Sequence, residues 1–251
     1  MERIDSLDKT YSKISKLSIV ECICLLLSFC FSIITIIWFV DFLLVMYIVV
    51  VVLYFFVSLA KELTIQYAEK LRIVNCIEVA YGEDINSSVE TINYYNNSSI
   101  GQGIERFEIN IFESVFFTKR NYDVVFPFKL IICILLILVY ITSLIVSPVN
   151  LALIITQTIF GSSVAIVFAK EIYFYIQVQK IYNFFDEIYV SGKYNNRNNK
   201  EKMLGLCFEY EKLKSYTAIQ TSTKVFKKYN DKWSADWEEY KQKYVKKKIS
   251  E

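Results

Sequence analysis

Four stretches of this chain carry no formal charge over about the length that a helix needs to cross a bilayer. They are residues 22–40, 42–60, 130–146 and 151–169. Roughly 20 apolar residues span a hydrocarbon core. None of the four shows the polar stripe that a helix on the surface of a soluble domain carries. A mean hydropathy of +0.33 and 54% hydrophobic residues agree with an apolar excess concentrated there. The expected fold is all-α and polytopic, with four transmembrane helices as two hairpins. The first stretch reads as a retained span, because its apolar run is too long for a cleaved signal peptide and no small-residue cleavage site follows it.

The first hairpin turns at Asp41 and the second at Ser147-Pro148-Val149-Asn150, where Pro and Asn favour turns. Neither turn holds Lys or Arg, so all 28 basic residues fall on one side of the bilayer. That bias places both termini and the polar mass in the cytoplasm. The two hairpins also read as parallel copies. Ala60-Lys61-Glu62 follows the second span and Ala169-Lys170-Glu171 the fourth, and at the same offset Asp41 falls on Asn150.

The chain divides into an N-terminal helix, hairpin and stalk (1–82), a cytoplasmic linker with an amphipathic helix (83–123), a second hairpin and stalk (124–190), and a charged helical tail (191–251). No Gly or Pro interrupts the sequence from Lys61 to Tyr81, so the second span continues as a helical stalk until Gly82. The fourth span does the same to about Val190, before Ser191-Gly192. Residues 83–103 are rich in Asn, Ser and Gly and read as a loop with one short helix. From Ile104, Phe107, Ile111 and Val115 recur at helical spacing, with Phe112 and Phe116 beside them. This helix is expected to lie near the membrane, with Lys119-Arg120 at headgroup level. Pro127 suggests a kink or a new start. In the tail, Trp233, Trp237, Tyr240 and Tyr244 fall on one helical face. That face is either an interfacial or partner-binding surface or a stripe packed on the chain's own stalks.

The chain has no histidine, which removes the commonest general base and metal ligand. Cys22, Cys24, Cys30, Cys76, Cys133 and Cys207 form no CxxC pair and read as packing residues. There is no P-loop, no GxSxG and no metal motif. Gly101-Gln102-Gly103 lacks the third glycine and the preceding strand of a dinucleotide site. No enzyme activity, cofactor or direct nucleic-acid binding is expected.

The informative polar residues lie in the spans. Gln157, Gly161 and Ser162 in the fourth, and Ser28, Ser32 and Thr35 on one face of the first, must be satisfied by other helices or by water. They line a pore in an oligomer or serve close helix packing, with Gly161 and Ala165 as a small-xxx-small pair. Glu21, near the cytoplasmic edge of the first span, is within reach of Lys16 or Lys129.

A short basic N-terminal helix and a tight hairpin lead into the stalk motif Ala68-Glu69-Lys70-Leu71-Arg72. Then come Tyr94-Tyr95-Asn96, Phe112-Glu113-Ser114 with Phe116-Phe117, and a second hairpin. This layout resembles the four-transmembrane and SLATT-type SMODS-associated effectors of bacterial antiviral conflict systems. The resemblance covers most of residues 1–190 and transfers no site residue; the tail beyond 195 has no counterpart in it. It implies an inner-membrane effector that oligomerises in the lipid bilayer. Triggered by a cytosolic sensor protein or a nucleotide second messenger during phage infection, such an effector forms a pore or disrupts the membrane. The alternative is a non-conducting scaffold that docks cytosolic partners.

Overall fold

The computed structural model describes residues 4–5, 7–37, 41–83, 91–92, 95, 97, 99–146 and 164–246. In chain order the elements are β1 (Ile4–Asp5), α1 (Leu7–Ile37), α2 (Asp41–Tyr81), β2 (Thr91–Ile92), α3 (Ile104–Val146), α4 (Val164–Ser191), α5 (Arg197–Thr217) and α6 (Thr223–Tyr240), which runs on as a π-helical turn, Lys241–Lys246. The only described strands, β1 and β2, pair antiparallel with Ile4 opposite Ile92 and Asp5 opposite Thr91. All else that is regular is helix, as expected. The stalk helices end where glycine permits a left-handed residue: Gly82 has φ 72° and Gly192 φ 75°.

Two of the described helices are long and apolar enough to cross a membrane: Lys9–Phe31 within α1, and α2. The proposed third span falls on the C-terminal part of α3, helical to Val146. The second turn and most of the fourth span lie outside the described residues. The chain packs as two units. The apolar unit comprises Asp8–Ala68 and Lys129–Lys170. Along α2 it exposes Phe42, Leu44, Ile48, Phe55 and Phe56, and along α3 Ile131, Leu135 and Leu138. Continuous apolar exposure on this scale marks a membrane-facing or protein-facing surface. Within this unit Lys61 on α2 pairs with Glu21 on α1. That is the partner Glu21 takes, rather than Lys16 or Lys129. Lys170 lies 3.7 Å from Glu62.

The polar unit comprises Met1–Leu7, Glu69–Phe128 and Glu171–Glu251. Its centre is residues 104–126 of α3. Phe107, Ile109, Ile111, Phe112, Val115 and Phe116 are all buried, and so are Glu108, Asn110 and Glu113 between them. A helix buried on every side is a core helix. This corrects the amphipathic reading of the linker helix, whose polar residues are buried along with its apolar ones. Lys119 is held by Asp123 at 2.8 Å, and Arg120 lies over the Phe116 ring and 3.9 Å from Asp236. The helix also continues through Pro127, with no new start there.

Around that axis the core is aromatic. The Phe112 ring stacks on Phe185 (centroids 4.9 Å) and Tyr189 (5.4 Å) of α4. It meets Trp237 (5.4 Å) and Tyr240 (5.6 Å) of α6 edge-on. The tail is two helices. Asn196 caps α5 by accepting from Asn198 N–H at 3.0 Å, and Ser222 Oγ accepts from Val225 N–H at 3.3 Å to start α6. Asn121 of α3 fixes that start. Its Oδ1 accepts from Ser222 N–H, and its Nδ2 donates to the Ser222 carbonyl, both at 2.9 Å.

Deleting the central ring should leave a void that three helices share. Phe112→Ala should therefore cost about 3–5 kcal/mol and Phe112→Leu clearly less. Thermal unfolding in detergent, followed by near-ultraviolet circular dichroism, measures both; equal melting of Phe112→Ala and wild type would remove Phe112 from the centre of the core.

Candidate functional site

Glu69 and Arg72 lie three residues apart on one face of α2, and Glu211 and Lys214 repeat that spacing on α5. At i,i+3 both members of each pair point the same way. Arg72 Nε donates to Glu69 Oε2 at 2.7 Å. Its Nη2 donates to Glu211 Oε2. Lys214 Nζ lies 3.3 Å from Glu69 Oε2. Three of the four side chains are at most 8% exposed and Lys214 is 13% exposed, so the quartet is formally neutral and nearly dry.

Burial alone would raise the Glu69 carboxyl. The charges of Lys214 and Arg72 and their hydrogen bonds overcome it and hold Glu69 at about 2. Burial likewise pulls Arg72 down, but Glu211 and Glu69 carry it well above its ordinary value. Lys214 is lowered, by burial first and by Arg72 second. Two atoms of the cluster, Arg72 Nη1 and Glu211 Oε1, have no hydrogen-bond partner among the described residues.

A second polar cluster lies on the α3 side of the unit. Asn97 Nδ2 donates to Asn110 Oδ1 at 2.9 Å and to Glu113 Oε2 at 2.7 Å. Lys241 Nζ donates to Asn97 Oδ1 at 3.3 Å and to Glu238 Oε1 at 2.5 Å.

Between these clusters lies a cavity of about 340 Å³. Arg72 and Lys214 line one part, Glu113 and Glu238 another. Its apolar walls include Tyr210, Trp237, Phe117 and Phe226, the last two rings 5.9 Å apart. Tyr210 is fixed in place: its hydroxyl is 2.8 Å from Thr118 Oγ1 and donates to the Ser114 carbonyl at 3.2 Å. Trp237 Nε1, a buried donor, has no partner among the described residues. The volume is at the small end of the ligand-site range.

The aromatic stripe of the tail is largely buried. Trp233 is 5% and Trp237 2% exposed, Tyr240 and Tyr244 are partly buried, and the Tyr240 hydroxyl donates to Asp186 Oδ1 at 2.9 Å. As a lipid or partner surface the face is corrected at Trp233 and Trp237: Trp237 and Tyr240 pack on Phe112 of α3, where large rings leave water. Ser28 is 8% exposed and donates to the Leu25 carbonyl of its own helix at 2.8 Å. Ser32 and Thr35 lie within α1, but their side chains are outside the described set. Gln157, Gly161 and Ser162 lie outside the described residues. Cys76 and Cys207 are free and fully buried, and burial pushes the Cys76 thiol up to about 12. Among the described residues no three Cys, Asp or Glu side chains cluster as metal ligands do.

The ion quartet and the cavity did not emerge from reading the sequence. The available signal was Glu69 and Arg72 at i,i+3 beside Ala68 and Leu71. It looks like an ordinary solvated stalk until α5 supplies the complementary pair. Comparison of the chain with protein-family models, curated proteins and solved structures finds no match. The fold and site therefore define a class only: an all-helical protein with two helices suited to a membrane and a packed polar unit that carries an open cavity.

Two expectations follow. Arg72→Met leaves Glu211 buried without its cation and should cost about 3–5 kcal/mol. Adding Glu211→Gln should restore part of that in a detergent melt; no recovery would show that lost packing, not stranded charge, is responsible. The second concerns Glu108, 2% exposed, with the Tyr194 hydroxyl donating to it at 3.4 Å. Burial raises its carboxyl from 4.5 to about 7, with Tyr194 pulling the other way. Between those values the folded chain holds a proton that the unfolded chain has released, so stability falls as pH rises from 4.5 to 7. Glu108→Gln should flatten that fall, which is on the order of 2 kcal/mol; melts at both ends of the window, in wild type and variant, test it.

Proposed function

We propose that this chain is an inner-membrane effector that oligomerises and, when triggered, forms a pore or otherwise breaches the bilayer, in the setting of bacterial antiphage defence. In this reading four spans form two hairpins with both termini in the cytoplasm, and the protein catalyses nothing. The observation that supports it most is the pairing of lipid-type helices with a packed polar unit on one chain. α2 exposes Phe42, Phe55 and Phe56 at 60% or more, while the polar unit buries an aromatic core beside an open cavity. That is the composition of a membrane element joined to a receiving domain. The trigger, a sensor protein or a nucleotide signal, must bind the open assembly better than the closed one. Gln157 and Ser162 of the fourth span are the pore-lining candidates, with Ser28, Ser32 and Thr35 of the first beside them or packing against them.

The second reading, a non-conducting scaffold, is favoured by one feature. Phe208 and Tyr216 of α5 are 61% and 66% exposed on the polar unit and offer apolar contacts to a cytosolic partner.

The test is expression with the flanking genes of its native locus under phage challenge, read with a potential-sensitive dye. Depolarisation is expected, and Gln157→Leu with Ser162→Leu should blunt it. Intact potential with the protein present in the membrane would favour the scaffold; full depolarisation by the double variant would remove the fourth span from the pore.

A further inference from the structure

We propose that the cavity of the polar unit is a binding site for a small, flat, uncharged heteroaromatic molecule with hydrogen-bond acceptors along one edge, a nucleoside being the commonest cellular example. Shape, donors and charge each bear on this.

The shape fits one or two rings. About 340 Å³ is too little for two linked nucleotides, and Phe117, Phe226, Tyr210 and Trp237 present ring faces or edges to whatever enters. A flat ring gains stacking on such walls. Both unpartnered donors belong to lining residues. Arg72 is 2% exposed with Nη1 lacking an acceptor, and Trp237 is 2% exposed with Nε1 lacking one. A buried donor left without an acceptor is costly, so a guest that supplies carbonyl or ring-nitrogen acceptors is favoured over a hydrocarbon. Neither donor is engaged elsewhere among the described residues.

Charge separates this guest from a phosphate ester. The lining cations are Arg72 and Lys214. Both are already committed, Arg72 to Glu69 and Glu211 and Lys214 to Glu69. The lining also carries Glu113 and Glu238, and Lys241, the cation beside them, is bonded to Glu238 and Asn97. Every lining cation has its carboxylate, so a polyphosphate would enter with no uncommitted positive charge to meet it. An uncharged ring pays no such cost.

Binding to the full-length protein in detergent tests this directly, and membrane potential plays no part in the readout, so its outcome is separate from that of the effector reading. Adenosine, guanosine, cytidine and uridine are titrated by equilibrium dialysis, with ATP, GTP, CTP and UTP as the polyanionic controls. At least one nucleoside should bind one to one, and its triphosphate roughly 10-fold or more weaker. Asn230→Trp, which fills the cavity from α6, should weaken binding ~10-fold or more, and Trp237→Phe, which keeps a ring but deletes the N–H, should weaken it measurably. Should Asn230→Trp fail to fold by its melt, Trp237→Phe decides. No binding of any nucleoside, tighter binding of ATP than of adenosine, or unchanged affinity in Trp237→Phe each overturns the proposal.

Discussion

Arg72 is the most constrained charge in the polar unit, because three ionic neighbours from two helices leave it no alternative position. Taking a guanidinium out of water costs several kcal/mol, and only close carboxylates with good geometry offset that. Glu69 supplies one from its own helix and Glu211 another from α5. Lys214 then balances Glu69, so neither acid is stranded. The consequence is positional. α5 can rotate or slide against residues 69–81 of α2 only by breaking charge pairs that have no water to replace them. Apolar contacts alone tolerate such slippage; buried charge pairs do not. The cavity wall, which includes Arg72, Tyr210 and Lys214, is therefore held in register.

The aromatic core works with that lock in a different way. Rings on α3, α4 and α6 meet at centroid distances of 4.9 to 5.6 Å around Phe112. Aromatic pairs favour stacked or edge-on geometry, so they orient helices as well as hold them. Trp237 belongs to both systems, packed against Phe112 and Phe116 and lining the cavity. Mutation of the core would reach the cavity through this side chain, and occupancy of the cavity would be felt in the core by the same route.

Helical content and stalk ends were legible, because glycine at 82 and 192 and the absence of breakers before them are local signals. The long uncharged runs were legible for the same reason. The break at 218–222 within the tail was not read. Its signal was present in Thr221-Ser222-Thr223, a run of helix-capping residues, but the charged amphipathic pattern on either side masked it. The burial of residues 104–123 was not legible either. Apolar spacing there marked Phe107, Ile111 and Val115 and carried no sign that Glu108, Asn110 and Asn121 between and beyond them also find partners from the rest of the chain. Inside the unit Tyr194 donates to Glu108, Asn97 donates to the Asn110 Oδ1, and the Ser222 backbone bonds Asn121, so each polar contact comes from outside the helix. The inward turn of Trp233 and Trp237 was one of two alternatives that periodicity left open. Periodicity reports that a face is apolar; it does not report what covers it.

The same limit explains why the ion quartet was invisible while the long apolar helices were plain. A lipid-facing helix declares itself by what it lacks, over a length that one segment contains entirely. A buried charge declares itself only through its counter-charge, and here Glu211 is 139 positions from Arg72. α2 shows both cases in one element. Its first turns expose Phe42 and Leu44, a pattern that needs no partner from the chain if lipid is the solvent. Its last turns bury Glu69, Arg72 and Asn75, a pattern that is stable only with partners from the chain. The change from one to the other falls after Lys61 and Glu62, which pair with Glu21 and Lys170. A helix built this way has two demands: an apolar surrounding along its first turns and a folded partner surface along its last.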